Sequence, residues 1–430
     1  MNSLEPYNLI IDNLIKGIGK YDQSNPCDHK IEYHLNGGTD EFIQKEVNKE
    51  DLKASGIFFT DKKRGAYLAG KIVNSSRPAD KLILDPTCGA GDLLLSCARL
   101  LPIKSTLEST LAYWGKILHG YDIHSSLIQI AKKRLILLAS YRTKEQFNKS
   151  NNHNDYFRGI KAGNFLKTEA LKSDFDIIAN PPFHSQKAPN EYPFSRGDTN
   201  SAALILYKCL ELLPSNCRIA TVLPDVIRSG SRYKKLILHT NLILKNQKIR
   251  IESKFSKTVD VDVITLYGQK RKHTKKLVVL NNENKPTLQN WFKVSVGSSV
   301  PHRHIALGDN YPFITAKDIK ISPIRNEDLN HIQCSTTVFK APFVVMRRTS
   351  SPSDTNRLFV VLVSGEDLYA VENHVLVIKP KDNQDESCVK LLSYLKSETC
   401  LSWLNQRIRC RHFTVAAIKE IPYNHQNNDT

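Results

Sequence analysis

The chain has 430 residues, more than one ordinary core accommodates, so two or three domains with sizeable interiors are expected. A hydrophobic fraction of 40% and a charged fraction of 24% are those of a globular protein, and no apolar run approaches the roughly 20 residues that a membrane span requires. The net charge of +18 favours a polyanionic partner, because basic residues that neutralise phosphates release counterions.

The first twenty residues lack a basic-then-apolar signal pattern, which places the expected location in the cytoplasm. Nine scattered cysteines contain no CxxC pair, so reduced packing thiols are expected, with neither a disulfide framework nor a metal site.

Residues 1–50 are polar and irregular and read as an N-terminal arm or helical cap. From 51 to 270, short apolar runs ending in Gly, Asp or Asn alternate with longer helix-like segments, as in a parallel sheet wound with helices. A strand at 82–84 runs into Asp85, Pro86, Thr87, Cys88, Gly89, Ala90 and Gly91, with a helix over 92–101 behind them. A second strand, 117–121, precedes a helix over 126–138. Residues 174–179 (DFDIIA) form another strand, followed by a helix over 204–213, a strand at 218–223 and an alternating strand at 261–267. The basic, polar stretch 271–286 reads as a linker, and 287–430 as a second domain of short β runs with a late helix over 389–404.

A glycine-rich turn at the carboxyl end of a first parallel strand brings backbone close to a ligand and aims helix amides at it. The dinucleotide pattern G-x-G-x-x-G fails here because Leu94 stands at its third position. Asp122 also lies 37 residues after Asp85 rather than the roughly 20 of a dinucleotide site. At the end of the second strand, Asp122 can accept both ribose hydroxyls of an adenosyl group, or else cap the helix that begins near Ser126.

Asn180, Pro181, Pro182 and Phe183 directly follow the strand at 174–179. The two prolines fix the backbone, so the Asn180 side chain and the Pro181 carbonyl can point at one spot, which suits a planar exocyclic amine. The lone pair of such an amine is delocalised, making it a poor nucleophile. Two acceptors on its N–H groups favour a pyramidal nitrogen and stabilise the charge that develops as a methyl group arrives from a sulfonium. Asn180 carries no charge and is no general base, so its role is positioning and electrostatic. Phe183 offers a face on which an extruded base can stack. Phe255, ahead of the strand from Val261, is a second aromatic candidate, and taken alone it reads as a core residue.

In motif order the chain resembles the γ-class amino-methyltransferases of restriction-modification systems, in which a Rossmann-like S-adenosylmethionine fold precedes a target-recognition domain. Residues 56–60 (GIFFT) are similar to the family's first motif, which implies that Phe59 and Thr60 contact the methionine part of the cofactor. By the same resemblance Asp85, Pro86, Cys88, Gly89 and Gly91 form the cofactor turn and Asp122 with Ile123 the ribose-binding position. Asn180 to Phe183 then form the catalytic loop, and Phe255 is an aromatic ring against the flipped adenine. Asn164 and Phe165, in the string Gly163-Asn164-Phe165-Leu166, sit where the family usually shows Asp, and an Asn oxygen can still accept from the cofactor's adenine amino group. Residues 311–319 (YPFITAKDI) and 411–422 resemble type I specificity subunits. An α+β target-recognition domain is thereby implied, with Arg347, Arg348, Arg407, Arg409 and Arg411 as DNA contacts.

The expectation is therefore an adenine-N6 methyltransferase acting on double-stranded DNA, with a separate restriction endonuclease subunit as a possible partner. The alternatives are methyltransferases of similar fold acting on RNA, on cytosine N4 or on a protein glutamine, and a non-catalytic specificity subunit.

Overall fold

The computed structural model describes residues 4–18, 26–46, 60–74, 76–147, 156–254, 261–272, 286–300, 308–320, 324–349, 358–407 and 412–424. It divides into two compact units, residues 1–228 with 232–277, and residues 278–430 with 229–231.

The first unit is the expected Rossmann-like α/β fold. In chain order its strands are β1 (Leu82–Asp85), β2 (Leu118–Asp122), β3 (Ile160–Ala162), β4 (Phe175–Ala179), β5 (Ser185–Lys187), β6 (Asp198–Asn200), β7 (Arg218–Pro224), β8 (Leu244–Lys254) and β9 (Asp262–Lys270). Seven of them form one sheet in the order β3-β2-β1-β4-β7-β9-β8, and β5 and β6 pair as a separate hairpin. Strands β3, β2, β1, β4 and β7 run parallel, whereas β9 is antiparallel to both β7 and β8. Every residue of β4 is buried, because a central strand covered by helices on both faces needs a continuous apolar run rather than alternation.

Helices α1 (Glu5–Gly17), α2 (Pro26–Leu35) and α3 (Gly38–Glu46) precede the sheet, and α4 (Lys62–Ile72), α5 (Asp92–Leu100), α6 (Leu107–Ile117), α7 (Ser125–Thr143), α8 (Ser201–Leu212) and α9 (Lys234–Ile243) flank it. The described part of the N-terminal segment packs on the first unit. Tyr7, Ile11 and Ile15 recur at helical spacing on α1 and are buried in the same core as the sheet. Asp12 pairs with Lys133 of α7 at 2.8 Å, and the Tyr7 hydroxyl meets Thr39 Oγ1 at 2.5 Å and His34 Nδ1 at 3.0 Å. Helix α6, absent from the sequence reading, starts at a capping box in which Thr106 Oγ1 accepts from the Ser109 amide at 3.1 Å.

The second unit contains β10 (Phe292–Val296), β11 (Asp309–Ile314), β12 (His331–Cys334), β13 (Phe339–Lys340), β14 (Phe343–Arg347), β15 (Val360–Val363), β16 (Leu368–Val371) and β17 (Val375–Pro380). They form two sheets, β10-β17-β14-β15 and β12-β11-β16-β13. Alternation splits β14 and β17 between two cores. Phe343, Val345, Val375 and Val377 enter one, while Val344, Met346, Leu376 and Ile378 enter the other with helices α10 (Asp385–Lys396), α11 (Glu398–Arg407) and α12 (Val415–Lys419). The late helical segment of the sequence reading is thus two helices, divided at Ser397, whose hydroxyl accepts from the Cys400 amide. No helix among the described residues is long and apolar enough to cross a membrane.

Candidate active site

The carboxyl ends of β1, β2, β3 and β4 surround one cavity. Its floor is the turn after β1. Gly89 and Gly91 take φ values of +50° and +90°, a region that a side chain resists, and a Cβ on Gly91 would lie 3.0 Å from that of Ala131. Gly91 begins α5, so the free amides of that helix's first turn belong to the same loop. The strand ends are stitched together. The Cys88 amide donates to the Tyr121 carbonyl and the Gly163 amide to the Asp122 carbonyl, each at 2.8 Å.

The Asp122 carboxylate accepts from the Gly89 amide at 3.1 Å and from the His124 amide at 2.8 Å. It does not cap the following helix, whose N-cap is His124 with no side-chain cap bond. Ile123, beside it, lines the cavity and is 63% exposed, an apolar surface open to a planar ligand. Asp85 is 1% exposed and accepts from the Thr87 amide at 3.0 Å, and burial raises its carboxyl pKa to about 8. Burial also raises the pKa of Asp122. The third acid, Asp92, is neutralised by the fully buried Arg134 at 2.8 Å.

Among the described residues the cavity wall holds these three carboxylates and no lysine or arginine. A wall with carboxyl groups and no basic side chain offers nothing to pair with a pyrophosphate and can pair with a ligand carrying positive charge. Thr87 Oγ1 and His124 Nε2, also in the wall, are buried with no hydrogen-bond partner among the described residues. The residues present therefore fit an adenosyl sulfonium with its amino-acid tail.

Opposite the turn, Asn180 and Pro182 line the same cavity. Asn180 Nδ2 donates to Thr60 Oγ1 at 2.9 Å, both residues being buried, so the carboxamide orientation is fixed and its oxygen faces away from Thr60. The loop is fastened from behind. Asn200 Nδ2 donates to the Phe183 carbonyl at 2.7 Å, the Asn200 amide donates to the Tyr233 hydroxyl at 3.1 Å, and the Ser201 amide donates to the His184 carbonyl at 2.9 Å.

Two further residues of the expected site have contacts within the first unit. Phe183, read as a stacking surface, is 9% exposed, packs in the core of the first unit and is not part of the cavity wall. With its carbonyl held by Asn200, the ring takes the apolar side of the loop, where its burial is favourable. Asn164 lines the cavity, but its Oδ1 accepts from the Leu166 amide at 3.0 Å and caps a short helical turn, because a side-chain oxygen there satisfies an otherwise unpaired amide. Phe165 is 2% exposed and borders the cavity next to it. Phe59 and Phe255 lie outside the described residues, as do Arg409, Arg411 and the side chain of Arg407.

Two of the arginines expected to contact DNA, Arg347 and Arg348, make contacts within the second unit. Arg347 directs Nε and Nη2 to the Ala316 carbonyl at 3.1 and 2.8 Å and stacks on Phe359 at 4.6 Å, fastening the 311–319 segment. Arg348 donates from Nη1 to the Asn373 carbonyl at 3.4 Å, and its Nε is buried. Sequence reasoning also missed Arg134, Asn200, His184 and Gln186, since isolated polar residues inside apolar helices or after a motif give no periodic signal.

The chain is similar to known proteins in sequence and in fold. Residues 116–261 match the family model described as Eco57I restriction-modification methylase. That segment takes in β2, β4, the Asn180 loop and β7. The chain is also 23% identical over 399 residues to the modification methylase CviBIII of Paramecium bursaria Chlorella virus NC1A, covering 88% of this chain and 96% of that protein. In structure it is similar to the type IIL restriction-modification enzyme MmeI, solved in complex with DNA, with a TM-score of 0.55 and 14% identity over 89% of this chain and 69% of that one. The likeness to MmeI establishes a shared fold.

Proposed function

We propose that the protein is a DNA methyltransferase of a restriction-modification system that transfers a methyl group from S-adenosylmethionine to the N6 amino group of a flipped-out adenine. The observation that carries this reading is that the Thr60-locked carboxamide of Asn180 and the carboxylate-lined Gly89 turn share one cavity. The 23% identity to a modification methylase along almost its whole length supports DNA as the substrate, as does the net charge of +18.

Bound in the cavity, the cofactor would supply an electrophilic methyl group on a sulfonium centre. Gly89, Gly91 and the first turn of α5 form its backbone bed, and Asp85 and Pro86 border the site of its charged part. Asp122 would hold the ribose hydroxyls on its remaining lone pairs, and Ile123 and Phe165 would hold the adenine ring. Asn180 Oδ1 and the Pro181 carbonyl accept from the two N–H groups of the acceptor amine, turning its lone pair towards the methyl group. Pro181 and Pro182 hold that geometry before the base arrives, so little reorganisation accompanies transfer. No side chain in the wall is required as a strong base, because the amine loses its proton to solvent after its pKa collapses on alkylation.

Sequencing DNA from cells that express the chain, with a method that distinguishes N6-methyladenine from N4-methylcytosine, tests the proposal. Methylated adenine at one recurring sequence is expected. Unmodified DNA, with methyl uptake into RNA or protein instead, would overturn it.

A further inference from the structure

The hairpin that follows the Asn180 loop places one more polar side chain in the cavity. Gln186 is the central residue of β5 and pairs with Thr199 of β6. Its neighbours Ser185 and Lys187 are exposed, whereas Gln186 is half-buried and lines the same wall as Asn180 and Pro182. The alternation of the strand therefore directs it inward.

Two polar side chains of the same wall already hold one partner each, although His184 Nδ1 is buried with no hydrogen-bond partner among the described residues. Asn180 is held by Thr60, and His184 Nε2 lies 2.8 Å from Ser201 Oγ, with burial lowering the histidine pKa so that the ring stays neutral at pH 7. The Gln186 carboxamide makes no side-chain hydrogen bond with any described residue, leaving two donors and two acceptor lone pairs open beside the acceptor-base pocket. A half-buried amide in that state is stabilised when a ligand completes it.

On the methyltransferase reading, on which this inference rests, both N–H groups of the target amine are taken by Asn180 Oδ1 and the Pro181 carbonyl. What remains for a neighbouring amide is the ring nitrogen beside the amino-bearing carbon, an acceptor. We infer that Gln186 donates from Nε2 to that ring nitrogen and so selects an amino-substituted ring flanked by an acceptor. A ring whose corresponding nitrogen is protonated offers a donor there and is disfavoured, because two donors face each other.

The test uses the full chain and single-turnover methyl transfer to duplexes with adenine, 1-deazaadenine or 7-deazaadenine at the modified position. With the wild type, 7-deazaadenine is expected to react like adenine, whereas 1-deazaadenine, which lacks the ring nitrogen beside the amino-bearing carbon, should slow transfer about tenfold, the effect of leaving one donor unmatched. Gln186→Ala should lose about the same factor on adenine and nothing further on that analogue. Gln186→Glu, which keeps the shape but cannot donate when ionised, should behave like Gln186→Ala. Unchanged cofactor affinity and melting temperature would show that the variants are folded. The inference is overturned if Gln186→Ala transfers to adenine at the wild-type rate, or if the deaza penalty is equal in wild type and variant. Wild-type protein that methylates no DNA base would instead overturn the methyltransferase reading itself.

Discussion

Binding of S-adenosylmethionine should release a proton from Asp85. This carboxyl is 1% exposed, accepts from the Thr87 amide and feels the charges of Asp122 and Asp92, and burial raises its pKa to about 8. At pH 7 it is therefore about nine-tenths protonated in the unliganded protein, one pH unit below its pKa. A sulfonium and an ammonium arriving in a cavity without lysine or arginine favour the ionised form, so binding at pH 7 should expel up to about one proton. Affinity should then rise with pH by at most about tenfold per unit and level off above about 8. Folding shows the opposite sign. A folded pKa above the unfolded value of 3.8 gives stability that is complete below pH 3.8 and lost at about 1.4 kcal/mol per unit as pH rises towards 8. Calorimetric titration at pH 7 in buffers of different ionisation enthalpy measures the proton count directly. An observed enthalpy that does not depend on the buffer would refute the reasoning, and so would an affinity independent of pH between 6 and 8.

Three further substitutions probe the scaffold. Arg134→Met removes the fully buried cation that joins Asp92 to the Ala90 and His34 carbonyls, so about 3–5 kcal/mol of first-unit stability should be lost, read as an earlier thermal transition. Gly91→Ala forces a left-handed residue and a methyl group 3.0 Å from Ala131, and should weaken cofactor affinity at least tenfold in equilibrium binding while DNA binding survives. Arg347→Ala should lower the melting temperature of the second unit but leave the salt dependence of DNA binding unchanged, because its guanidinium is held on the Ala316 carbonyl; a reduced salt slope would restore a phosphate contact.

The first unit was legible where chemistry and backbone geometry coincide. The DPTCGAG turn and the NPPF loop each contain residues that demand an unusual backbone, and both follow apolar strands, so their placement at strand ends could be read locally. Helix α6 was missed because its apolar positions are interrupted by Glu108, Ser109, Thr110 and Lys116, and only the capping box at Thr106 marks its start. Strand β8 was missed because LKNQKIRIESK is mostly polar, as suits an edge strand paired on one side alone. The hairpin residue Gln186 has no signature beyond its position. The inward turn of Phe183 and the commitment of Arg347 to a carbonyl depend on partners at distant positions, Asn200 and Ala316, which no local pattern announces.

The central claim is that the Asn180 carboxamide, locked by Thr60, holds the acceptor amine beside the methyl donor. Single-turnover transfer of labelled methyl by Asn180→Ala, with DNA and cofactor both saturating, tests it most directly. The account predicts a fall in the transfer rate of at least a hundredfold, with affinities for DNA and cofactor within about threefold of wild type. Transfer at a near-normal rate, with both ligands bound, would contradict it.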